Sequence, residues 1–117
     1  MSYDIDLIDE VTGRPVEVDR HEEGGTYAIG GIEEASLNVT YNYGKFFRKY
    51  LDEENGIRWL YGKKAKDCIK RLEAAVVTLG TEQDSNYWKA TPGNAGYALY
   101  VLLTWAKKWP SAIFQGD

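Results

Sequence analysis

The ten residues "NYWKATPGNA" place Asn86, Tyr87, Trp88, Lys89, Thr91 and Asn94 where a helix is expected to begin. A helix start leaves backbone N–H groups without partners, and with the helix dipole these favour an anion. Lys89 would add a charge, and Tyr87 or Trp88 would offer a face to a base or a sugar. The alternative is structural: Thr91 or Asn94 caps the helix while the aromatic rings plug the space under the loop. A second candidate lies in "ASLNVTYNY", where Ser36, Asn38, Thr40 and Asn42 alternate with apolar residues. A strand face made of amides and hydroxyls without charge suits the wall of a polar pocket, a binding surface or simply a wet sheet face. If this row abuts the helix start, Asn38, Thr40, Asn42, Tyr87, Trp88, Thr91 and Asn94 together make a ligand-binding candidate. The alternative is that these side chains hold the long loop through backbone hydrogen bonds, which Asn and Thr do well.

Catalytic chemistry has little to draw on. The sequence has no phosphate-binding Gly-rich loop with its Lys, no nucleophile elbow, no zinc-protease helix and no Cys/His cluster. The single histidine, His21, sits among Asp19, Glu22 and Glu23, which reads as a solvated acidic turn rather than a metal site. The single Cys68 falls on the apolar stripe of an expected helix, far in sequence from the only histidine, and reads as a small buried hydrophobe. Asp4 and Asp6 are the outer face of a strand, not an acid–base pair. No catalytic residue, metal ligand or cofactor is therefore assigned.

The elements that position these residues follow from periodicity. "YDIDLID" and "PVEVD" alternate as strands joined by a turn near Thr12-Gly13, and "TYAIGG" and "ASLNVTYN" supply a third and a fourth strand. After Asn42 the period becomes helical. "YGKFFRKYLDEENG" places Phe46, Phe47, Tyr50 and Leu51 on one face before Asn55-Gly56, and "KKAKDCIKRLEAAVVTLG" puts Ala65, Cys68, Ile69, Leu72, Val76 and Leu79 on one stripe. A third helix starts at Thr91-Pro92 and runs to about Trp109 before Pro110. It is apolar on most sides, so it is either central in the core or offers one face, Tyr97, Tyr100, Val101 and Trp105, to a partner chain. The tail "SAIFQGD" returns as a short strand or packs as a strap. The expectation is a single α+β domain over 1–117, with an N-terminal antiparallel meander of about four strands over 3–42. Three helices over 43–109 pack on one sheet face, and a short C-terminal tail follows.

Charge and composition narrow the partners. Residues 1–34 hold ten acids against Arg14 and Arg20, a net −8, while the other 83 residues hold twelve Lys and Arg against eight acids, a net +4. The basic residues in and around the first two helices read as solvated faces, and an overall charge of −4 makes nucleic acid an unfavoured partner. No run reaches the about 18 apolar residues of a spanning helix. The first residues carry no basic segment followed by an apolar one. Together with one cysteine and therefore no internal disulfide, this points to a reducing cytosol and no membrane association. Four Trp and nine Tyr in 117 residues suit both a small core and a recognition surface.

With "GGTYAIGG", "EASLNVTYNYGKFF", "YWKATPGNAGYAL" and the closing "GD" in view, most of the chain resembles a family of small proteins encoded by bacteriophages and prophages. The resemblance implies an accessory gene product acting in the bacterial cytosol; it brings no activity, fold or catalytic residue with it. The functional expectation is a non-enzymatic binding protein that engages a host protein or sequesters a signal to counter host defence. The alternatives are a small enzyme acting on a nucleotide or sugar and a virion structural or assembly component, for which homo-oligomers would be diagnostic.

Overall fold

The computed structural model describes residues 2–21 and 31–117, an α+β protein. Its strands are β1 (Ser2–Ile8), β2 (Glu17–His21), β3 (Ile32–Glu34), β4 (Ser36–Thr40) and β5 (Ile113–Gly116), and its helices are α1 (Gly44–Tyr50), α2 (Ala65–Leu79) and α3 (Pro92–Lys108). Three strands form an antiparallel sheet in the order β4-β1-β5, and β2 pairs with β3 in a separate ribbon. The expected third strand, "TYAIGG", lies largely outside the described residues.

Chain order along the sheet departs from a meander because the first hairpin opens. Asp9 closes its turn by accepting the N–H groups of Val11 and Thr12, and Gly13 adopts φ +70°, which glycine tolerates without steric cost. Beyond that turn, Leu7 accepts from Val16 at 2.9 Å, but the Leu7 N–H goes to Ala35 and the Ala35 N–H goes to Val16, each at 2.9 Å. Ala35 is fully buried at this three-way junction, where the extended run through β3 leaves β2 and joins β1. From there β1 pairs with β4, with Ile5 opposite Leu37 and Asp4 opposite Asn38. On its other side β1 pairs with β5, with Leu7 opposite Phe114, so the tail returns as a strand.

The period-two pattern divides this sheet into two faces. Tyr3, Ile5 and Leu7 with Leu37, Val39 and Phe114 are buried in one core with Phe47, Leu72, Leu99 and Leu102 of the helices. Burying side chains of this size contributes about 1.5–3 kcal/mol each. The outer edge of β5 is covered in turn: Gly62 donates to Phe114, Phe114 to Lys63 and Ala65 to Ala112, at 2.8–3.0 Å. A covered edge cannot pair with a foreign strand.

The helices begin and end where local chemistry directs. A 3-10 turn over Tyr41–Tyr43, capped by Thr40, leads into α1. A second one over Gly56–Leu60 links α1 to α2, and α2 stops at Gly80 with φ +77°. Thr91 caps α3 by accepting the Asn94 N–H at 3.1 Å, with Pro92 in the first turn. Helix α3 is buried on most sides, from Ala95 to Ala106, which makes it the central helix.

Candidate functional site

Residues 80–91 join α2 to α3 without regular structure, and the loop is held at several points by residues outside it. Its first residues pass directly over α3. A side-chain carbon added to Gly93 would lie 1.8 Å from the Glu82 carbonyl oxygen, and one added to Gly96 would lie 1.8 Å from that of Gly80. Glycine in a helix costs about 1 kcal/mol relative to alanine, so two of them three residues apart mark a close backbone approach.

Asn94, only 5% exposed, holds the middle of the loop. Its Oδ1 accepts the Asp84 N–H at 2.9 Å, and its Nδ2 donates to the carbonyls of Asn86 at 3.1 Å and Lys89 at 2.9 Å. The far end docks on the sheet. The Tyr87 hydroxyl donates to the Asn38 carbonyl at 3.2 Å and accepts the Thr40 N–H at 3.3 Å, which closes part of the outer edge of β4 as another strand would. The Tyr43 hydroxyl donates to the Tyr87 carbonyl, and Asn42 Nδ2 donates to the Trp88 carbonyl at 2.8 Å. Burial and the neighbouring Tyr87 hold the Tyr43 phenol far above its ordinary pKa, so it remains a donor at any physiological pH.

The seven sequence-derived candidates do converge, with the loop itself between the strand end and the helix start. Thr40 Oγ1 accepts the Asn42 N–H at 3.2 Å, Thr91 caps α3, and Asn38 Nδ2 donates to Ser2 Oγ at 2.6 Å and to Asp4 Oδ1 at 2.8 Å. Their polar groups thus bond within the chain. Trp88 differs: the residue is 60% exposed, its ring in edge contact with Tyr87 at 5.1 Å between centroids.

The candidate partner face of α3 is divided. Val101 and Trp105 are buried, Trp105 lying 5.1 Å from the His21 ring of β2, whereas Tyr100 is exposed and stands 6.1 Å from Tyr97. The ribbon β2–β3 also takes Trp109, whose indole N–H donates to the Glu17 carbonyl at 2.8 Å. The second apolar stripe of α3 is therefore partly covered by the chain's own N-terminal ribbon. On the ribbon's surface an open groove of about 620 Å³ is lined by Arg14, Pro15, Glu17, Arg20, Ile32, Glu33 and Glu34, with both charge signs interleaved.

Sequence reading passed over a cluster beside the C-terminal end of the strand row. The Arg58 guanidinium lies over the rings of Tyr3 at 5.0 Å and Tyr41 at 5.6 Å, and these rings meet edge-on at 4.6 Å. Arg58 donates to the main-chain oxygen of Asp117 and to the Tyr41 hydroxyl. Tyr61 also donates to that Asp117 oxygen, at 3.1 Å, and its pKa is pushed up to about 12. Burial is the main cause; Arg58 opposes it, and Asp117, Tyr3 and Asp4 add to it. No periodicity signals this cluster, because Arg58 sits in a 3-10 turn and its aromatic partners come from two distant segments.

Cys68 is buried, and burial raises its thiol to a pKa of about 11, which leaves it protonated and unreactive near neutrality. Among the described residues no group of three or more His, Cys, Asp and Glu could hold a metal ion, and no helix is long and apolar enough to cross a membrane. No protein family, curated protein or solved structure matches the chain.

Proposed function

We propose that this is a non-enzymatic binding protein that engages a protein partner through the tip of the loop over 80–91, centred on Trp88. The observation that carries the reading is a tryptophan, 60% exposed, on a loop whose backbone is fixed by Asn94, Tyr43, Asn42 and Tyr87. Exposing a tryptophan forgoes its burial free energy, and ordering the loop that carries it removes the entropy that association would otherwise cost. Tyr41, 38% exposed, immediately precedes the residue that binds the Trp88 carbonyl, and Arg58 stacks on it. Trp, Tyr and Arg are the residue types that dominate binding energy at protein interfaces.

The resemblance to phage-encoded proteins supplies the proposed setting, an accessory protein acting on a bacterial host protein. Signal sequestration and a small nucleotide- or sugar-directed enzyme are weaker readings, because the amide and hydroxyl row they would use is already bonded within the chain. A virion component would need a self-association face, and half of the α3 strip that suggested one is buried.

The test is site-specific photocrosslinking in bacterial host cells, with the crosslinking residue placed at Trp88 and, as a control, at Val77, which is 83% exposed on α2. The expected result is a discrete adduct with one host protein from position 88 and none from position 77. Equal labelling from both positions, or no adduct from 88, would overturn the assignment of the loop tip as the binding surface.

A further inference from the structure

We propose that the bare part of the outer edge of β4, at Ser36 and Asn38, receives an extended basic segment of the partner protein as an added strand; this deepens the reading of the protein as a binder of protein partners and rests on it. β4 ends the sheet on one side, since the strand order is β4-β1-β5. Along a strand, successive residues direct their main-chain N–H and C=O groups to opposite sides. The Ala35 carbonyl accepts from Leu7 on the β1 side, whereas the Asn38 carbonyl and the Thr40 N–H meet the Tyr87 hydroxyl on the other. The even-numbered residues of β4 therefore present their main chain away from β1, and Ser36 is one of them.

Among the described residues the Ser36 N–H, the Ser36 carbonyl and the Asn38 N–H have no hydrogen-bond partner. Ser36 and Asn38 are half-buried, so water and a partner can reach them. Proteins commonly blunt such an edge with Lys, Pro, a bulge or a covering segment. The opposite edge is treated in this way, because residues 62–65 cover β5. Along β4 these devices are missing: its residues are uncharged, and its ladder with β1 runs without a bulge from Thr40 opposite Ser2 to Ser36 opposite Asp6. The open stretch ends at Tyr87, whose hydroxyl bonds the Asn38 carbonyl and the Thr40 N–H as an incoming strand would. Trp88 follows it, and Asn42 holds the Trp88 carbonyl at 2.8 Å, so the open edge and the loop tip adjoin.

The sheet face beside this edge sets the charge of the segment. β1, β4 and β5 contain no Lys or Arg, and on the face away from the core Asp6 stands opposite Ser36 and Asp4 opposite Asn38. Asp117 adds to the row, its Oδ1 accepting the Asp4 N–H at 3.0 Å. An added strand lies about 4.8 Å from β4 and about 10 Å from β1, and long side chains shorten the second distance to within the screening length of physiological salt. Its other face continues the row of Leu37 and Val39, which are buried on the core side. The occupant that fits is an extended segment with Lys or Arg alternating with apolar residues. Main-chain hydrogen bonds hold such a strand, and its alternate side chains select it.

The test uses the purified protein, with its backbone amide signals followed by NMR during titration to millimolar concentration with a blocked peptide of three Lys-Val repeats. The same peptide N-methylated throughout, which cannot donate main-chain hydrogen bonds, and a blocked peptide of three Glu-Val repeats serve as comparison probes. The expected result is a saturable shift and slowed hydrogen exchange at Ser36 and Asn38 with the Lys-Val peptide, none with the N-methylated one, and binding about tenfold weaker with the Glu-Val one. Ser36→Pro places a ring where an N–H points away from β1, which an edge strand tolerates, and should weaken binding by about tenfold. Hydrogen exchange in the unaltered protein needs no variant and decides the matter should Ser36→Pro fail to fold. No saturable change at Ser36 and Asn38, an equal response to the N-methylated peptide, or unweakened binding by a folded Ser36→Pro overturns the added strand. Binding of the Glu-Val peptide as tight as that of the Lys-Val one overturns the basic occupant. Shifts of Ser36 and Asn38 with protein concentration alone overturn it in favour of a second copy of this chain. Crosslinking at position 88 is independent of these titrations, so failure here with success there removes the strand-pairing edge alone.

Discussion

Replacing Asn94 with alanine removes three hydrogen bonds from one buried side chain. Oδ1 holds the Asp84 N–H, and Nδ2 holds the carbonyls of Asn86 and Lys89, at 2.9–3.1 Å. Each such bond contributes about 0.5–1.5 kcal/mol net, so the three together contribute about 3 kcal/mol. Alanine is the better helix former by about 0.6 kcal/mol, which offsets part of that loss. The net destabilisation expected is therefore about 2–3 kcal/mol. For a chain of 117 residues this lowers Tm by about 10 °C, taking an unfolding entropy of about 2.1 cal/mol/K per residue. Urea unfolding followed by circular dichroism gives the free energy directly, and the denaturant slope should stay constant because the surface exposed on unfolding does not change. Asn42→Ala, which loses a single bond from an exposed side chain, should cost no more than about 1 kcal/mol. A loss below about 0.5 kcal/mol for Asn94→Ala would mean that the loop is held by something other than this amide. The argument for a preordered Trp88 would fail with it.

Two further perturbations address other parts of the molecule. Gly96→Ala forces a carbon to within 1.8 Å of the Gly80 carbonyl, so it should destabilise by about 2 kcal/mol or more despite the helix propensity of alanine, as thermal unfolding would reveal; a stabilised variant would contradict the close approach. Tyr61 is raised to about 12 in the folded protein, against 10.0 as its ordinary value. Because the folded state keeps the proton that the unfolded state releases, its contribution is constant below pH 10 and is lost as pH rises from 10 towards 12. Spectrophotometric titration at the phenolate band should show one less late-ionising tyrosine in Tyr61→Phe, and an unchanged count would refute the burial of this hydroxyl.

Much of the helical part was legible because its signals are local. The Thr91-Pro92 start, the stop at Gly80 and the stripe from Ala65 to Leu79 each depend on residues within a few positions of one another, and the structure has them in those places. The alternation in "YDIDLID" and "ASLNVTY" likewise identified which side of each strand is buried, since side-chain direction follows from the backbone alone. Strand order was not legible in the same way. The β1–β2 hairpin opens because Ala35, distant in sequence, takes up hydrogen bonds of Leu7 and Val16, and no local pattern announces that exchange.

The candidate site divides along the same line. Residue types alone marked Asn38, Thr40, Asn42, Tyr87, Trp88, Thr91 and Asn94 as a group able to bind something polar. Amides and hydroxyls bond whatever backbone lies within about 3 Å, and only the folded chain decides whether that is a ligand or the chain's own loop. Here the side chains reach their own backbone, Trp88 is left outside, and Arg58 stacks on Tyr3 and Tyr41 from segments that share no sequence pattern. Composition and periodicity thus determined the element types, the buried faces and the supply of aromatic and polar groups. The pairing of distant segments decided which of those groups remain available, because hydrogen bonds and ring contacts depend on separation in space and only incidentally on separation along the chain.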